Sequence, residues 1–380
     1  MKNPLLKVQD YGQSIWLDYI DREMLDSGEL EKLIEEDGLR GVTVNPSILN
    51  EAIGGSDKYD EDIRNLASKG RQAAEIYEAL AIEDVQRAAD LFRPLYDASE
   101  GDHGFVSLEV SPLIAYDANA TLQEARRFWR KLDRPNVMIK VPATREGLAA
   151  IEQLTAQGIN VNVTLLFGLP RYRAVADAYQ KGLETRAGEG QPIDKVNSVA
   201  SFFLSRIDVM VDPILEDMMS SGGEKARLAG QLHGQVAVVS AKVAYQIYVG
   251  IYTAERFQTL AEQGARTQRL LWASTSTKNP EYSDVKYVEP LIGPDTVNTA
   301  PKETLDAFRD HGDPARRIDE DLVQARKVMD LLAEVGIEID GFTARLEEEG
   351  VEKFSKSYNQ LIDRLERLRA EAIAQTAETA

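Results

Sequence analysis

Cysteine is missing from all 380 residues, so the chain has no disulfide, no thiolate nucleophile and no Cys-ligated metal. Histidine is scarce as well. His103, His233 and His311 are the only three, and their scattered positions offer no metal-ligand spacing. Positive charge is in deficit: 44 Lys and Arg face 63 Asp and Glu, a formal net charge of −19. That balance disfavours nucleic acid and acidic membrane surfaces, which need clustered cations. It leaves an anionic metabolite open, because one or two cations in a pocket suffice. No apolar stretch reaches membrane-spanning length. Met1-Lys2-Asn3-Pro4-Leu5-Leu6 lacks the apolar core of a signal peptide, and with the absence of cysteine this makes a cytoplasmic location the expectation. Gly54-Gly55 and Gly222-Gly223 lack the strand-to-helix setting of a nucleotide-binding loop.

What is present is a recurring unit. Hydrophobic residues make up 43% and charged residues 28%, ordinary for a soluble globular chain. Short apolar runs fall at 14–18, 41–46, 105–110, 136–144, 160–167, 198–204 and 269–274, with a weaker eighth at 287–292. The stretches between, such as 122–132, 146–157 and 170–184, carry apolar residues at three- and four-residue spacing. Strand-helix alternation repeated eight times predicts an α/β fold, a single (β/α)8 TIM barrel over residues 1–300. A pair of extra helices is expected between Gly55 and Glu100, after the second strand. Residues 301–374 read as C-terminal helices. In the last of these, Val351, Phe354, Tyr358, Leu361, Leu365 and Leu368 form one stripe, expected to pack on the barrel wall. The tail, 375–380, is expected to be disordered.

Lys140 stands late in the fourth run, in Asn136-Val137-Met138-Ile139-Lys140-Val141-Pro142. Lysine is almost never fully buried unless paired or used. Desolvation favours its neutral amine, a nucleophile able to form a Schiff base with a carbonyl. In a barrel of this kind the reactive groups sit at the C-terminal ends of the strands. The late positions of the runs hold Asp18, Asn45, Glu109, Lys140, Thr164 and Arg206, and Asn162 shares a face with Thr164. An amine, two carboxylates, amides and hydroxyls on one rim match an imine-forming aldolase. Other readings stand beside this one. Asn45 before Pro46 makes a turn, Thr164 packs with a satisfied hydroxyl, Arg206 bridges to Asp208 or Asp212, and Glu109 is an ion-pair partner of Lys140.

The same segments carry a family resemblance. Trp16-Leu17-Asp18, Thr43-Val44-Asn45-Pro46-Ser47, Ser107-Leu108-Glu109-Val110, Ile139-Lys140-Val141-Pro142, Asn162-Val163-Thr164-Leu165-Leu166-Phe167 and the stretch from Ser201 to Arg206 resemble the transaldolases, in order and over six strands. The resemblance implies a Schiff base on Lys140 with the C2 carbonyl of a ketose phosphate. It makes Asp18 the proton shuttle at the C4 hydroxyl, and has Glu109 act through a water held by Thr164. Asn45 and Asn162 would bind substrate hydroxyls, and Ser201 and Arg206 the phosphate. The implied reaction of the pentose phosphate pathway moves dihydroxyacetone from sedoheptulose 7-phosphate to glyceraldehyde 3-phosphate. Its products are erythrose 4-phosphate and fructose 6-phosphate, and no metal or organic cofactor is implied. The protein would be a monomer or homodimer.

Shorter members of the family carry a second phosphate-binding arginine after Ala-Ser on the seventh strand. Here Ala273-Ser274 is followed by Thr275-Ser276-Thr277-Lys278, so Ser274, Ser276 and Lys278 are the candidates to replace it. With the C-terminal extension, this resembles a longer bacterial subgroup. Fructose-6-phosphate aldolase is the enzymatic alternative. That relative has tyrosine where this chain has Phe203 and lacks the carboxylate matching Glu109. A sugar-phosphate-binding barrel without chemistry is the non-enzymatic one.

Overall fold

The computed structural model describes residues 3–379, with side chains to residue 374; the tail expected to be disordered lies beyond the described side chains. Eight parallel strands close into a barrel in sequence order. They are β1 (Gln13–Leu17), β2 (Gly41–Thr43), β3 (Phe105–Glu109), β4 (Val137–Pro142), β5 (Val161–Leu166), β6 (Ser198–Phe203), β7 (Arg269–Ala273) and β8 (Thr296–Ala300). β8 pairs with β1 from Gln13–Thr296 to Leu17–Ala300, which closes the ring. Only Arg269 among the strand residues is partly exposed. A barrel strand is covered inside by its own ring and outside by helices, so it reads as a continuous apolar run.

The eighth strand is the correction. Residues 287–292 do not form it: Glu289–Leu291 is a 3-10 turn. Pro290 has no N–H to give a ladder, and the Leu291 carbonyl instead accepts from Gln13 Nε2 at 2.7 Å and Trp272 Nε1 at 3.2 Å. The strand is Thr296–Ala300, just past that run. Its polar side chains are buried because each finds a protein partner. Thr296 donates to the Gly293 carbonyl, Asn298 to the Tyr287 carbonyl, and Thr299 lies 2.8 Å from Thr43 Oγ1.

Helices Ala118–Leu132, Arg145–Ala156 and Leu169–Gly188 follow β3, β4 and β5, and Asp60–Ser68 and Ala73–Ala98 are the pair expected after β2. Thr144, just past β4, starts its helix by accepting from Gly147 N at 3.0 Å and donating to the Ala115 carbonyl at 2.6 Å. Turns tied down in this way hold the strand ends in place.

Helix Ile339–Thr379 does more than the expected packing on the barrel wall. Val351, Phe354, Leu361 and Leu365 of its stripe are buried, and Tyr358 and Leu368 are partly so. The helix crosses the C-terminal rim. Glu347 pairs with Arg171 at 2.9 Å near one edge. At the other, Ser357 accepts from Ser47 at 2.9 Å and Arg364 donates to the Asn50 carbonyl at 2.9 Å. An apolar stripe specifies what a helix buries, not which surface receives it.

Gly41 opens β2 where a side chain has no room. A Cβ there would lie 2.6 Å from Trp16 Cε2 and 2.7 Å from the Phe105 carbonyl oxygen. The carbonyl belongs to the neighbouring strand and cannot yield. Gly41→Ala is therefore expected to lower the unfolding free energy by about 1–3 kcal/mol, read from the urea midpoint. An unmoved midpoint would mean that β2 and β3 part freely.

Candidate active site

A cavity of about 470 Å³ opens at the C-terminal ends of the strands. Asp18, Asn45, Lys140, Thr164, Ser201, Phe203, Arg206, Ser274, Ser276 and Lys278 all line it. Ten of the twelve residues singled out in the sequence thus meet in one place. Glu109 and Asn162 do not line it and lie behind the wall.

Lys140 is the centre. β3 and β4 pair Glu109 with Lys140, and β4 and β5 pair Lys140 with Asn162. Lys140 and Glu109 are both buried, and Lys140 Nζ lies 3.2 Å from Glu109 Oε2. The ion-pair reading of Glu109 is therefore geometrically correct, and it does not preclude proton exchange between the two. Burial pushes the Glu109 carboxyl above its usual range against the pull of Lys140, and the Asp18 charge adds to the rise. Burial likewise raises Asp18, opposed by Lys140 and by the hydrogen bond from Thr43. A buried carboxyl with raised proton affinity is suited to take and return protons near neutral pH.

Asp18 is held by a relay. Thr43 Oγ1 donates to Asp18 Oδ1 at 2.6 Å, so its single hydrogen is spent. The 2.8 Å contact between Thr43 and Thr299 must then run from Thr299 to Thr43. Sequence reading missed Thr43 and Thr299, the latter because its strand was misplaced. Asn162 lies behind the cavity wall: its Nδ2 donates to Ser107 Oγ at 3.0 Å, and its Oδ1 accepts from Ser201 Oγ at 2.7 Å. The amide thus braces β3 against β6 and keeps its second Nδ2 hydrogen uncommitted among the described residues.

At the site, Thr164 Oγ1 is buried with no hydrogen-bond partner among the described residues, and Glu109 Oε2 has only its ion pair with Lys140. An orphaned buried hydroxyl is costly. That excludes the satisfied-hydroxyl reading of Thr164. Backbone strain sits in the same place. β5 holds one residue more than β6 between the Val163–Ala200 and Leu166–Phe202 pairs, and Leu165 takes φ +56°. A left-handed non-glycine residue costs on the order of 1–3 kcal/mol, and here it marks the bulge beside Thr164. Ser274, with φ +54°, sits just past β7 and shares a 2.8 Å hydrogen bond with Ser205.

Asn45 makes the turn expected before Pro46. Its Oδ1 caps helix Pro46–Gly55 by accepting from Ser47 N at 2.9 Å and Ile48 N at 3.1 Å. Its Nδ2 has no acceptor among the described residues, and Asn45 lines the cavity. Arg206 does not bridge to Asp208 or Asp212. Asp208 accepts from Ala237 N, Lys286 and Tyr287, and Asp212 from Gly234 N and Tyr282. Instead the Arg206 guanidinium lies 5.7 Å from the Phe203 ring and 5.9 Å from that of Phe354. Among the described residues it pairs with no carboxylate. Burial lowers its pKa, as expected for a cation whose counter-charge is not protein. Lys278 Nζ donates to Ser276 Oγ at 2.5 Å.

Sequence reading also missed Lys353, Phe354, Ser357 and Gln360, which line the cavity from the helix crossing its mouth. A second cavity, of about 400 Å³, lies at the opposite end of the barrel. Its cations are engaged, Arg266 with Asp102, Arg269 with Ser14 and the Asp102 carbonyl, and Arg40 with Gln9, and they tie the barrel floor together.

With this geometry the family match can be weighed. The family described as transaldolase/fructose-6-phosphate aldolase matches residues 15–365. The chain belongs to this family. It is 45% identical over 369 residues to a transaldolase of Trichodesmium erythraeum, covering 96% of this chain and 97% of that protein. It is 46% identical over 370 residues to transaldolase 2 of Nostoc sp. strain PCC 7120, with the same coverage. A transaldolase of Thiobacillus denitrificans is 46% identical over 355 residues, covering 93% and 97%. The extent of these matches takes in the helix over the mouth as well as the barrel. Among the described residues no single helix is long and apolar enough to cross a membrane.

Lys140 cannot neutralise both Asp18 and Glu109, so one negative charge is in surplus in a buried set. Asp18 carries a pKa raised from the ordinary 3.8, so it contributes stability below that value and loses it as pH rises through the folded-state pKa. Asp18→Asn keeps an acceptor for Thr43 and removes the surplus. It is expected to raise the unfolding free energy at pH 7 by about 0.5–2 kcal/mol, with the gain shrinking as pH is lowered. Urea titrations at pH 7 and pH 5 check this; a gain that grows toward pH 5 has the wrong sign for the argument.

Proposed function

We propose that this member of the family is a transaldolase that uses Lys140 as its Schiff-base residue. The observation that carries the reading is a buried lysine 3.2 Å from one carboxylate and in the field of a second, on the wall of a cavity that also holds an unpaired arginine. In the mechanism, Glu109 takes the proton of the Lys140 ammonium and the free amine attacks C2 of a ketose phosphate. The carbinolamine loses water, its oxygen leaving with a proton that Glu109 returns through a water held by Thr164. In the protonated imine Asp18 removes the C4 hydroxyl proton. The C3–C4 bond breaks, its electron pair flows into the imine, and an aldose phosphate departs. The enamine left on Lys140 then attacks the aldehyde of an acceptor, and Asp18 returns its proton to the new C4 oxygen. Hydrolysis of the imine releases the product ketose.

The substrates that suit this site are sedoheptulose 7-phosphate and glyceraldehyde 3-phosphate, giving erythrose 4-phosphate and fructose 6-phosphate. Asn45 Nδ2 is placed to donate to a hydroxyl of the dihydroxyacetone unit. Arg206, with Ser276 and Lys278 on the facing loop, supplies the charge-assisted hydrogen bonds a phosphate dianion takes. Ser201, already bonded to Asn162, and Ser274, bonded to Ser205, support this wall. Phe203, 5.2 Å from Phe167, keeps an apolar surface beside the imine. Without a hydroxyl there to assist water, the enamine persists until an aldehyde arrives, which favours transfer over the aldolase reaction.

Fructose 6-phosphate supplied with erythrose 4-phosphate is expected to yield glyceraldehyde 3-phosphate, and without the acceptor to yield almost none. Equal rates in both would make the protein an aldolase, and no turnover a binding protein. Borohydride added with fructose 6-phosphate is expected to leave a dihydroxyacetone-derived mass on the Lys140 peptide. Lys242 is the other buried lysine among the described residues, and labelling there would overturn the assignment.

Phe203→Tyr places a hydroxyl beside the imine. The ratio of acceptor-independent dihydroxyacetone release to transfer is expected to rise by roughly tenfold, at the low end of what a positioned acid-base group contributes. A ratio that does not move reduces Phe203 to packing.

A further inference from the structure

On helix Ile339–Thr379, Gly350, Lys353, Ser357 and Gln360 follow one another at three- and four-residue spacing and so share one face. Lys353, Ser357 and Gln360 line the cavity. Gly350 brings that face close to the barrel: a Cβ there would lie 3.0 Å from Leu165 Cδ2 and 3.8 Å from Arg206 Nη1. Ser357 is tied to Ser47 at 2.9 Å, and Phe354, buried beside Lys353, sits with its ring 5.9 Å from the Arg206 guanidinium. The backbone that carries Lys353 is thus fixed on both sides of it.

Lys353 has no hydrogen bond or ion pair among the described residues. Nor does Arg206 pair with a carboxylate, and Lys278 bonds only to Ser276. The carboxylates on the cavity wall, Asp18, Glu51 and Glu303, pair with none of the three. The positive charge of Arg206, then burial, then that of Lys278 lower the Lys353 pKa. Glu349 is the one carboxylate that acts on Arg206, and it is engaged with Arg345 at 2.7 Å. Three cations thus line a cavity in a chain of net charge −19 without pairing to a carboxylate among the described residues, and an entering anion would relieve the repulsion that Arg206 and Lys278 exert on Lys353.

We propose that Lys353 is a phosphate-binding residue, so that the helix across the mouth completes, with Arg206 and Lys278, the recognition of the phosphate end of the substrate. The assignment rests on the transaldolase reading for its kinetic consequences but not for phosphate binding itself. The roles divide by flexibility. Arg206 is stacked and half-rigid, whereas the two lysines are point charges on flexible stems that accommodate ketose phosphates of different length.

The test uses Lys353→Ala, Lys353→Arg and, as a control, Lys356→Ala, a lysine of the same helix that is exposed as Lys353 is but does not line the cavity. Two readouts are taken: kcat/KM on fructose 6-phosphate relative to unphosphorylated fructose, and the affinity for inorganic phosphate by calorimetry. Lys353→Ala is expected to lower the kinetic ratio by roughly tenfold or more, chiefly through KM, and to weaken phosphate binding to a similar degree. Lys353→Arg should recover most of both, and Lys356→Ala should change neither. Equal losses on fructose and fructose 6-phosphate, or an unchanged phosphate affinity, would overturn the proposal. If the wild-type protein transfers nothing, the functional reading fails, while the calorimetric arm still decides whether Lys353 holds phosphate.

Discussion

The ammonium of Lys140 sits out of water with one carboxylate 3.2 Å away and another within its field, and the rest of the structure answers to that constraint. Charges taken from water cost several kcal/mol each unless paired. Two acids against one base leave a surplus that the barrel must tolerate. Burial raises the proton affinity of both acids, and a proton held loosely among the three groups is what a sequence of imine formation, bond cleavage and hydrolysis needs. The polar groups around it are linked in two chains, Thr299 through Thr43 to Asp18 and Ser107 through Asn162 to Ser201.

A barrel supplies the floor and wall of such a site but no roof. Here the roof is helix Ile339–Thr379, anchored by buried Leu361 and Leu365 beyond the mouth and by Glu347–Arg171 on the near side. Its apolar face bears the packing and its polar face lines the cavity, so one element both seals the barrel and shapes the site. In a chain of net charge −19, the wall that holds Arg206, Lys278 and Lys353 is locally cationic.

Much of this was readable from residue order. Seven of the eight strands lie where apolar runs place them, because a strand covered on both faces has no polar side to show. The eighth escaped because its polar residues bond to Gln13 of β1, to Thr43 of β2 and to the carbonyls of Tyr287 and Gly293, and hydrophobicity does not register a hydrogen bond. Asn45 and Asn162 looked alike as amides at strand ends. Tertiary structure separates the one that lines the cavity from the one that lies behind its wall.

The sequence by itself determined the barrel, the rim on which the polar residues gather and the identity of the buried lysine. These follow from local pattern: strand period, helix spacing and the rarity of lysine in apolar runs. Tertiary structure alone decided which polar groups face the cavity and which brace it, that Arg206 pairs with no carboxylate among the described residues, and that Lys353 comes to the same cavity from about 150 residues away in the chain. The physical reason is that a pattern of apolar residues states what must leave water, whereas the partner of each buried polar group depends on which distant segments the closed barrel brings within hydrogen-bond reach.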